Sequence, residues 1–134
     1  MIAIGMFLTP GFQMLDLAGP SSAFECATSK TGSPAYRVLA VSLEGGPVRS
    51  SLGIDVATQR LDGQPIHTLM VAGSMPEVVP SCAASSMFAE AASFCERVAS
   101  VCTGALTLAA AGLLEGRRAT THWKYAARLQ RDYP

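Results

Sequence analysis

The sequence has few charged residues and few aromatic residues, and its charges cancel. Only 15% of the 134 residues are charged and 7% are aromatic, and ten Lys and Arg balance ten Asp and Glu. A domain that binds nucleic acid by itself usually carries a basic surplus, so this balance argues against direct nucleic-acid binding by the chain. The 49% hydrophobic content and the 12 glycines instead favour a single packed α/β domain over residues 1–134.

Long hydrophobic runs, a basic N-terminus and closely spaced metal ligands are also missing from the sequence. No stretch reaches the roughly 18 uninterrupted apolar residues of a membrane-spanning helix, and no Lys or Arg precedes Lys30. A cytoplasmic protein without membrane association is therefore expected, in a compartment that keeps thiols reduced. The four cysteines contain no Cys-x-x-Cys pair and there are only two histidines, so we expect neither a metal nor a cofactor.

Short apolar runs alternate with helical patterns along the chain. Residues 2–8 and 66–72 predict buried strands, and residues 36–43 alternate as a strand does. The first helix is expected to begin between Asp16 and Gly19, because Pro20 is tolerated only near a helix start. Strands that alternate with helices predict a doubly wound, mostly parallel sheet.

Later segments give weaker signals. Residues 50–57 predict a strand interrupted by Gly53, and residues 117–122 predict a further strand that precedes a helix over 123–130. The sequence stops at Pro134, in or just after that helix, which predicts a C-terminally incomplete sheet. Uncovered sheet edges and apolar surface favour association, so a homodimer or a higher oligomer is expected.

Residues 98–104 read Val-Ala-Ser-Val-Cys-Thr-Gly and lead directly into an Ala-rich helical pattern. A cysteine on such a strand-to-helix turn lies at the carboxyl edge of the sheet, as in a nucleophile elbow. The helix start supplies amides that favour a thiolate and can hold an oxyanion, so Cys102 is expected to alkylate before the other thiols. The alternative is a buried cysteine at a strand end. The remaining cysteines are interpreted as structural: Cys26, Cys82 and Cys95.

Two longer motifs carry a family resemblance. Residues 100–123, SVCTGALTLAAAGLLEGRRATTHW, resemble the cysteine-elbow region of the ThiJ/PfpI superfamily. Residues 6–20, MFLTPGFQMLDLAGP, resemble its first strand and acid-bearing turn. The resemblance implies a flavodoxin-like fold of the class I glutamine amidotransferase type. It is strongest to two branches, the N-terminal domain of AraC-type regulators and isonitrile hydratase.

The resemblance also implies roles for individual residues. Cys102 matches the elbow nucleophile, and Asp16 matches the acid that meets its sulfur, with a helix N-cap as the alternative for Asp16. Thr103 would supply a backbone amide towards a substrate. His122 matches a histidine that relatives place near the cysteine, and a structural histidine is the alternative.

Some positions depart from the family pattern. Gly73 and Ser74 stand where relatives have a Gly-Gly turn whose amides line the site, so these residues are candidate ligand contacts, and the departure at Ser74 argues against the usual oxyanion hole. His67 replaces a common Asp, and Thr103 stands where peptidase-like relatives have a histidine after the cysteine. Proteolysis is therefore disfavoured. The family continues beyond residue 134 with further strands.

Two functions of different classes fit these residues. The first is the small-molecule-sensing N-terminal domain of an AraC-type regulator, with DNA binding carried by helix-turn-helix motifs that residues 1–134 do not contain. The alternative is a lyase similar to isonitrile hydratase, in which Cys102 attacks the isonitrile carbon and water positioned by Asp16 releases a formamide. The basic residues near the C-terminus are interpreted as a solvated helix face rather than a nucleic-acid surface. They are Arg117, Arg118, Lys124, Arg128 and Arg131.

Overall fold

A mostly parallel sheet forms the centre of the fold. The computed structural model describes residues 1–76 and 81–134, and within these residues it has six strands and four helices. The sheet order is β3-β4-β2-β1-β5-β6, and every pairing is parallel except that between β3 and β4. The strands are β1 (Ile2–Phe7), β2 (Tyr36–Ser42), β3 (Gly46–Arg49), β4 (Asp55–Arg60), β5 (Thr68–Val71) and β6 (Arg97–Ser100). The helices are α1 (Met14–Thr31), α2 (Cys82–Ala92), α3 (Gly104–Ala110) and α4 (Ala126–Asp132). The predicted doubly wound α/β class is confirmed.

The central strand β1 is buried because its residues are apolar and both faces of the sheet are covered. Five of its six residues are buried. On one face the ring of Phe7 packs against Phe88 of α2, with ring centroids 4.6 Å apart. On the other face Leu8 and Phe12 form a second cluster. The chain passes from β1 to β2 on one side while β5 lies on the other, so the crevice at the carboxyl end of β1 is a topological switch point.

Helix α1 begins earlier than predicted. It starts at Met14, and Pro20 lies inside it, so the expected start between Asp16 and Gly19 is wrong. The tertiary structure sets the start, because the backbone N–H of Gln13 donates to the carbonyl of Gly73 at 2.8 Å. The contact ties the first turn of the helix to the end of β5.

The predicted strand over residues 50–57 is wrong in its first half, and residues 55–57 do lie in a strand. Residues 50–57 form a tight turn and the beginning of β4, which pairs with β3 as an antiparallel hairpin. Gly53 has a φ of 79°, and Ser50 N–H donates to the carbonyl of Ile54 at 2.8 Å. The Arg49 guanidinium closes the hairpin with two hydrogen bonds to the Asp55 carboxylate, at 2.9 and 3.0 Å.

Residues 117–122 do not form the predicted strand. Their last two residues instead bind the turn that carries Cys102: the Thr121 hydroxyl and the His122 N–H donate to the Cys102 carbonyl at 2.9 and 3.1 Å. The sequence pattern of these residues is typical of a strand. Their hydrogen-bond donors, however, bind the Cys102 turn instead of pairing with a neighbouring strand.

The four cysteines are all free thiols, and they differ in exposure. Cys26 and Cys82 are exposed, so burial does not support their interpretation as structural residues. Cys95 is half-buried and packs against the cluster that contains Phe88. Among the described residues, no helix is both long enough and apolar enough to cross a membrane.

Candidate functional site

Three neighbouring strands end at the same edge of the sheet, and each is followed by one residue of the site. Asp16 follows β1, Gly73 follows β5 and Cys102 follows β6, and these strands are adjacent in the sheet. A methyl group placed on Gly73 would lie 2.5 Å from Asp16 Oδ2 and 3.0 Å from Cys102 Cβ. The absence of a side chain at Gly73 therefore allows the acid and the cysteine to meet over its backbone.

The turn that carries Cys102 has the predicted strand-to-helix form. Cys102 has a φ of 54°, and no other non-glycine residue in the described part of the chain has a positive φ. Gly104 N–H donates to the Val101 carbonyl at 2.9 Å. A Cβ on Gly104 would overlap the carbonyl oxygen of Val71, so a glycine is needed where helix α3 starts against β5.

The positive φ of Cys102 has a measurable cost. A left-handed conformation costs an L-residue roughly 1–2 kcal/mol, which glycine does not pay. We expect Cys102→Gly to be more stable than Cys102→Ala by about 0.5–1 kcal/mol in urea unfolding, because both remove the thiol and only glycine relieves the strain. Equal midpoints for the two variants would contradict a strained turn. Ala99, within β6, provides the control. There Ala99→Gly is expected to be less stable than the wild-type protein, because glycine weakens the interior of a strand.

Asp16 is buried, with 7% of its surface exposed, and it points towards the cysteine turn. Its Oδ2 accepts a hydrogen bond from the N–H of Gly73 at 2.9 Å. The alternative role as helix N-cap is wrong, because Gln13 occupies that position and Asp16 lies within the first turn of α1. The side chain is therefore free of a capping role and is held against the site.

The environment of Cys102 favours the protonated thiol. Burial and then the neighbouring Asp16 carboxylate raise the pKa of the Cys102 thiol, while the backbone N–H of Thr103 lowers it. The net direction is upward, so the expectation that the helix start favours a thiolate is wrong. Helix α3 has only seven residues, and its amides do not outweigh desolvation and a nearby negative charge.

The turn formed by Gly73 and Ser74 is closed by hydrogen bonds within the protein. Gly73 N–H donates to Asp16, and Ser74 N–H donates to Thr103 Oγ1 at 3.1 Å. The Thr103 hydroxyl donates in turn to the Ser74 carbonyl at 2.9 Å. Both amides of the turn already have acceptors, so they do not form the open oxyanion hole of a Gly-Gly turn. The sequence indicated a backbone role for Thr103 and missed this role of its side chain.

His122 contacts the cysteine turn through its backbone and not through its ring. Its N–H donates to the Cys102 carbonyl, while Nδ1 accepts from the N–H of Lys124 at 3.2 Å and caps the short helix that starts at Trp123. The ring also lies against Trp123, with centroids 5.6 Å apart. This geometry agrees with the structural alternative for His122. The described residues contain no group of three or more His, Cys, Asp or Glu placed to hold a metal ion.

The chain belongs to the DJ-1/PfpI family, whose sequence profile matches residues 3–133. It is 44% identical to an uncharacterised protein in the cpoL 5' region of Streptomyces lividans, over 92% of this chain and 89% of that protein. It is 31% identical to the HTH-type transcriptional regulator GlxA of Rhizobium meliloti, over 98% of this chain and 42% of the regulator. It is 36% identical to the isonitrile hydratase of Pseudomonas putida, over 92% of this chain and 54% of the enzyme.

A solved structure supports the fold assignment. An AraC family transcriptional regulator from Pseudomonas putida superposes with a TM-score of 0.81 and 17% identity, over all of this chain and 74% of that one. The chain thus spans about half or less of the two curated relatives named for a function. The relatives include both kinds of protein that the sequence motifs resemble.

Proposed function

We propose that residues 1–134 form the small-molecule-sensing domain of an AraC-type transcription regulator, with the ligand bound beside Cys102 and Asp16. The observation that carries this proposal is the closed turn at Gly73 and Ser74, whose N–H groups donate to Asp16 and Thr103 and so are not free to stabilise an oxyanion beside the thiol. Burial and the Asp16 carboxylate, which raise the pKa of the thiol, point in the same direction. The similarity to GlxA, across nearly the whole chain, supports the same assignment. Such a domain would act in the cytoplasm and would not itself bind DNA, in keeping with its zero net charge.

The groups at the site favour a ligand with a hydrogen-bond donor and without a negative charge. Asp16 is a buried carboxylate that accepts a hydrogen bond from Gly73, and a carboxylate has about four acceptor positions. A buried carboxylate disfavours an anionic ligand, because two like charges would lie close together out of water. We propose that an amide or ammonium N–H of the ligand donates to Asp16.

The second candidate is an isonitrile hydratase, favoured by the 36% identity to such an enzyme and by the contact of the thiol with Asp16. In this reaction Asp16 accepts the thiol proton while sulfur attacks the terminal carbon of the isonitrile. The proton then passes to that carbon and gives a thioimidate. Water adds to the C=N bond, the C–S bond breaks, and an N-substituted formamide leaves with the thiol restored.

One pair of measurements separates the two candidates. The purified chain is incubated with cyclohexyl isonitrile and assayed for N-cyclohexylformamide by mass spectrometry. In parallel it is screened for thermal stabilisation by small amides and amines. The sensor proposal expects no formamide and a saturable shift that is lost in Asp16→Asn and retained in Asp62→Asn, an exposed carboxylate paired with Arg60. Formamide production that depends on Cys102 would overturn the sensor proposal and support the enzyme. If the chain shows neither formamide production nor a saturable thermal shift, both candidates are overturned.

We also propose that the chain forms a homodimer or a higher oligomer. Within the described residues β6 pairs only with β5, so one side of its backbone is unpaired. Val98, on this strand, is 37% exposed, and Phe94, which precedes the strand, is 84% exposed. Light scattering is expected to give at least twice the chain mass of 14.0 kDa.

A lysine on the edge strand tests this prediction, and a lysine on an inner strand is the control. Val98→Lys places a charge on the unpaired strand, where natural proteins use lysine to prevent strand addition, and it is expected to shift the mass towards the monomer. Lysine at Ala57, inside the hairpin, is the matched variant expected to leave the mass unchanged. A wild-type monomer at all concentrations tested would overturn self-association.

A further inference from the structure

Besides the hydrogen bond from Gln13 to Gly73, three described side chains bind the loop over residues 73–76. Gly73 binds Asp16 and Ser74 binds Thr103, and these two contacts belong to the site already described. The third contact comes from another part of the fold: Arg128 Nη1, on α4, donates to the Pro76 carbonyl at 2.7 Å. Helix α4 is thus connected to the loop that packs against the acid and the cysteine.

The position of Arg128 distinguishes it from the basic residues around it. Its side chain is 32% exposed, whereas that of Arg131 on the same helix is 72% exposed. Its Nε lies 3.4 Å from Asp132 Oδ2, one turn further along α4. The planar guanidinium therefore faces a carboxylate with Nε and a backbone carbonyl with Nη1, and the first contact orients it for the second. The interpretation of Arg128 as part of a solvated helix face is wrong.

The loop controls how closely the site is packed. Gly73 has no side chain, and a Cβ added there would come within 3.0 Å of Asp16 Oδ2, Thr103 Oγ1 and Cys102 Cβ. A small outward movement of the loop would admit water to the thiol and would remove the N–H donor from Asp16. The hydrogen bond from Arg128 opposes this movement at the far end of the loop, and bonds from a charged donor are stronger than those between neutral groups.

We propose that Arg128 is a positioning residue for the Cys102 site, which it acts on through the loop over residues 73–76 without touching the thiol. The proposal rests on the assignment of Cys102 and Asp16 as the functional site. The proposal gives α4 a role in that site. Ligand binding at the site and the position of α4 are coupled through the hydrogen bond between Arg128 and Pro76.

The test measures the alkylation of each cysteine by iodoacetamide as a function of pH, read by mass spectrometry. Arg128→Met keeps the apolar stem and removes the donor, so the loop is expected to open more often and the thiol to become better hydrated. We expect Cys102 to react about three- to tenfold faster at pH 7.5, with its pH midpoint moved down, because burial raises the pKa of this thiol. Arg128→Lys, which can donate to Pro76 but cannot form the same fork, is expected to show a smaller increase.

Two controls separate positioning from general loosening. Arg131→Met removes the other arginine bound to Asp132 and is expected to leave the Cys102 profile unchanged. Cys95 is half-buried at the opposite end of β6 and reports loss of structure elsewhere. Wild-type Cys102 rates in both the Met and the Lys variants would overturn the proposal, as would an equal rise at Cys95. Because the assay needs no ligand, failure of the chain to bind amides or amines would overturn the sensor function alone.

Discussion

Asp16→Asn is expected to lower the pKa of the Cys102 thiol and to increase its alkylation at neutral pH several-fold. The reason is electrostatic: the Asp16 carboxylate lies beside the thiol and disfavours a second negative charge, and asparagine removes that charge while keeping the shape of the side chain. The amide oxygen can still accept from Gly73, and the amide N–H₂ can donate to a thiolate. Removal of the negative charge and donation from the new amide therefore both lower the pKa of the thiol.

The measurement is the pH dependence of iodoacetamide alkylation at Cys102, resolved from the other cysteines by mass spectrometry. The midpoint of the profile is expected to move to lower pH, and the rate at high pH, where the thiolate is complete in both proteins, should change little. Asp62→Asn is the matched control, because Asp62 is an exposed partner of Arg60. A midpoint that stays in place or rises in Asp16→Asn would show that the carboxylate does not control the thiol.

Gly104→Ala is expected to be the most destabilising single methyl group that can be added at the site, with a loss of about 3 kcal/mol in the free energy of unfolding. The new Cβ would overlap the carbonyl oxygen of Val71 and lie 3.0 Å from its carbonyl carbon. Both atoms belong to the backbone of a strand paired on each side, so neither can rotate away as a side chain would. Helix α3 would have to move away from β5.

Gly19→Ala provides the comparison for this prediction. Gly19 lies inside α1, directly before Pro20, and apart from its chain neighbours and the backbone of the helix no atom is within 4 Å of the position that its Cβ would take. Alanine there is expected to change the free energy of unfolding by less than about 1 kcal/mol, because its higher helix propensity is opposed by the contact of the new Cβ with the ring of Pro20. Urea unfolding should therefore give a midpoint far below the wild type for Gly104→Ala and close to the wild type for Gly19→Ala. A Gly104→Ala midpoint near that of the wild type would contradict the close contact of α3 with β5.

The sequence predicted the elements that depend on local patterns and missed those that depend on contacts between distant residues. The strand, cysteine and glycine around residue 102 follow from the short motif, because the turn needs a glycine at 104 and a helix after it. The pairing of Asp16 with the cysteine turn was implied by the family resemblance. The start of α1 was mispredicted, because its position depends on a hydrogen bond between Gln13 and the distant Gly73.

The electrostatics of the site were also beyond the sequence pattern. A cysteine at a helix start suggests a lowered thiol pKa, but burial and a negative neighbour decide the direction here, and both arise from tertiary packing. The role of Arg128 is similar, since its partner Pro76 is 52 residues away and is recognised through a backbone carbonyl. Nothing in the identity of Pro76 marks it as an acceptor.

The carbonyl of Cys102 accepts two hydrogen bonds, from Thr121 and His122, and this has a consequence for how the domain could signal. With both lone pairs occupied, the peptide between Cys102 and Thr103 cannot flip without breaking two bonds at once. A change at the thiol therefore leaves the backbone of its own turn in place. Under the proposed sensor function, the partners of the site that remain to transmit such a change are Asp16, in the first turn of α1, and Gly73, in the adjoining loop.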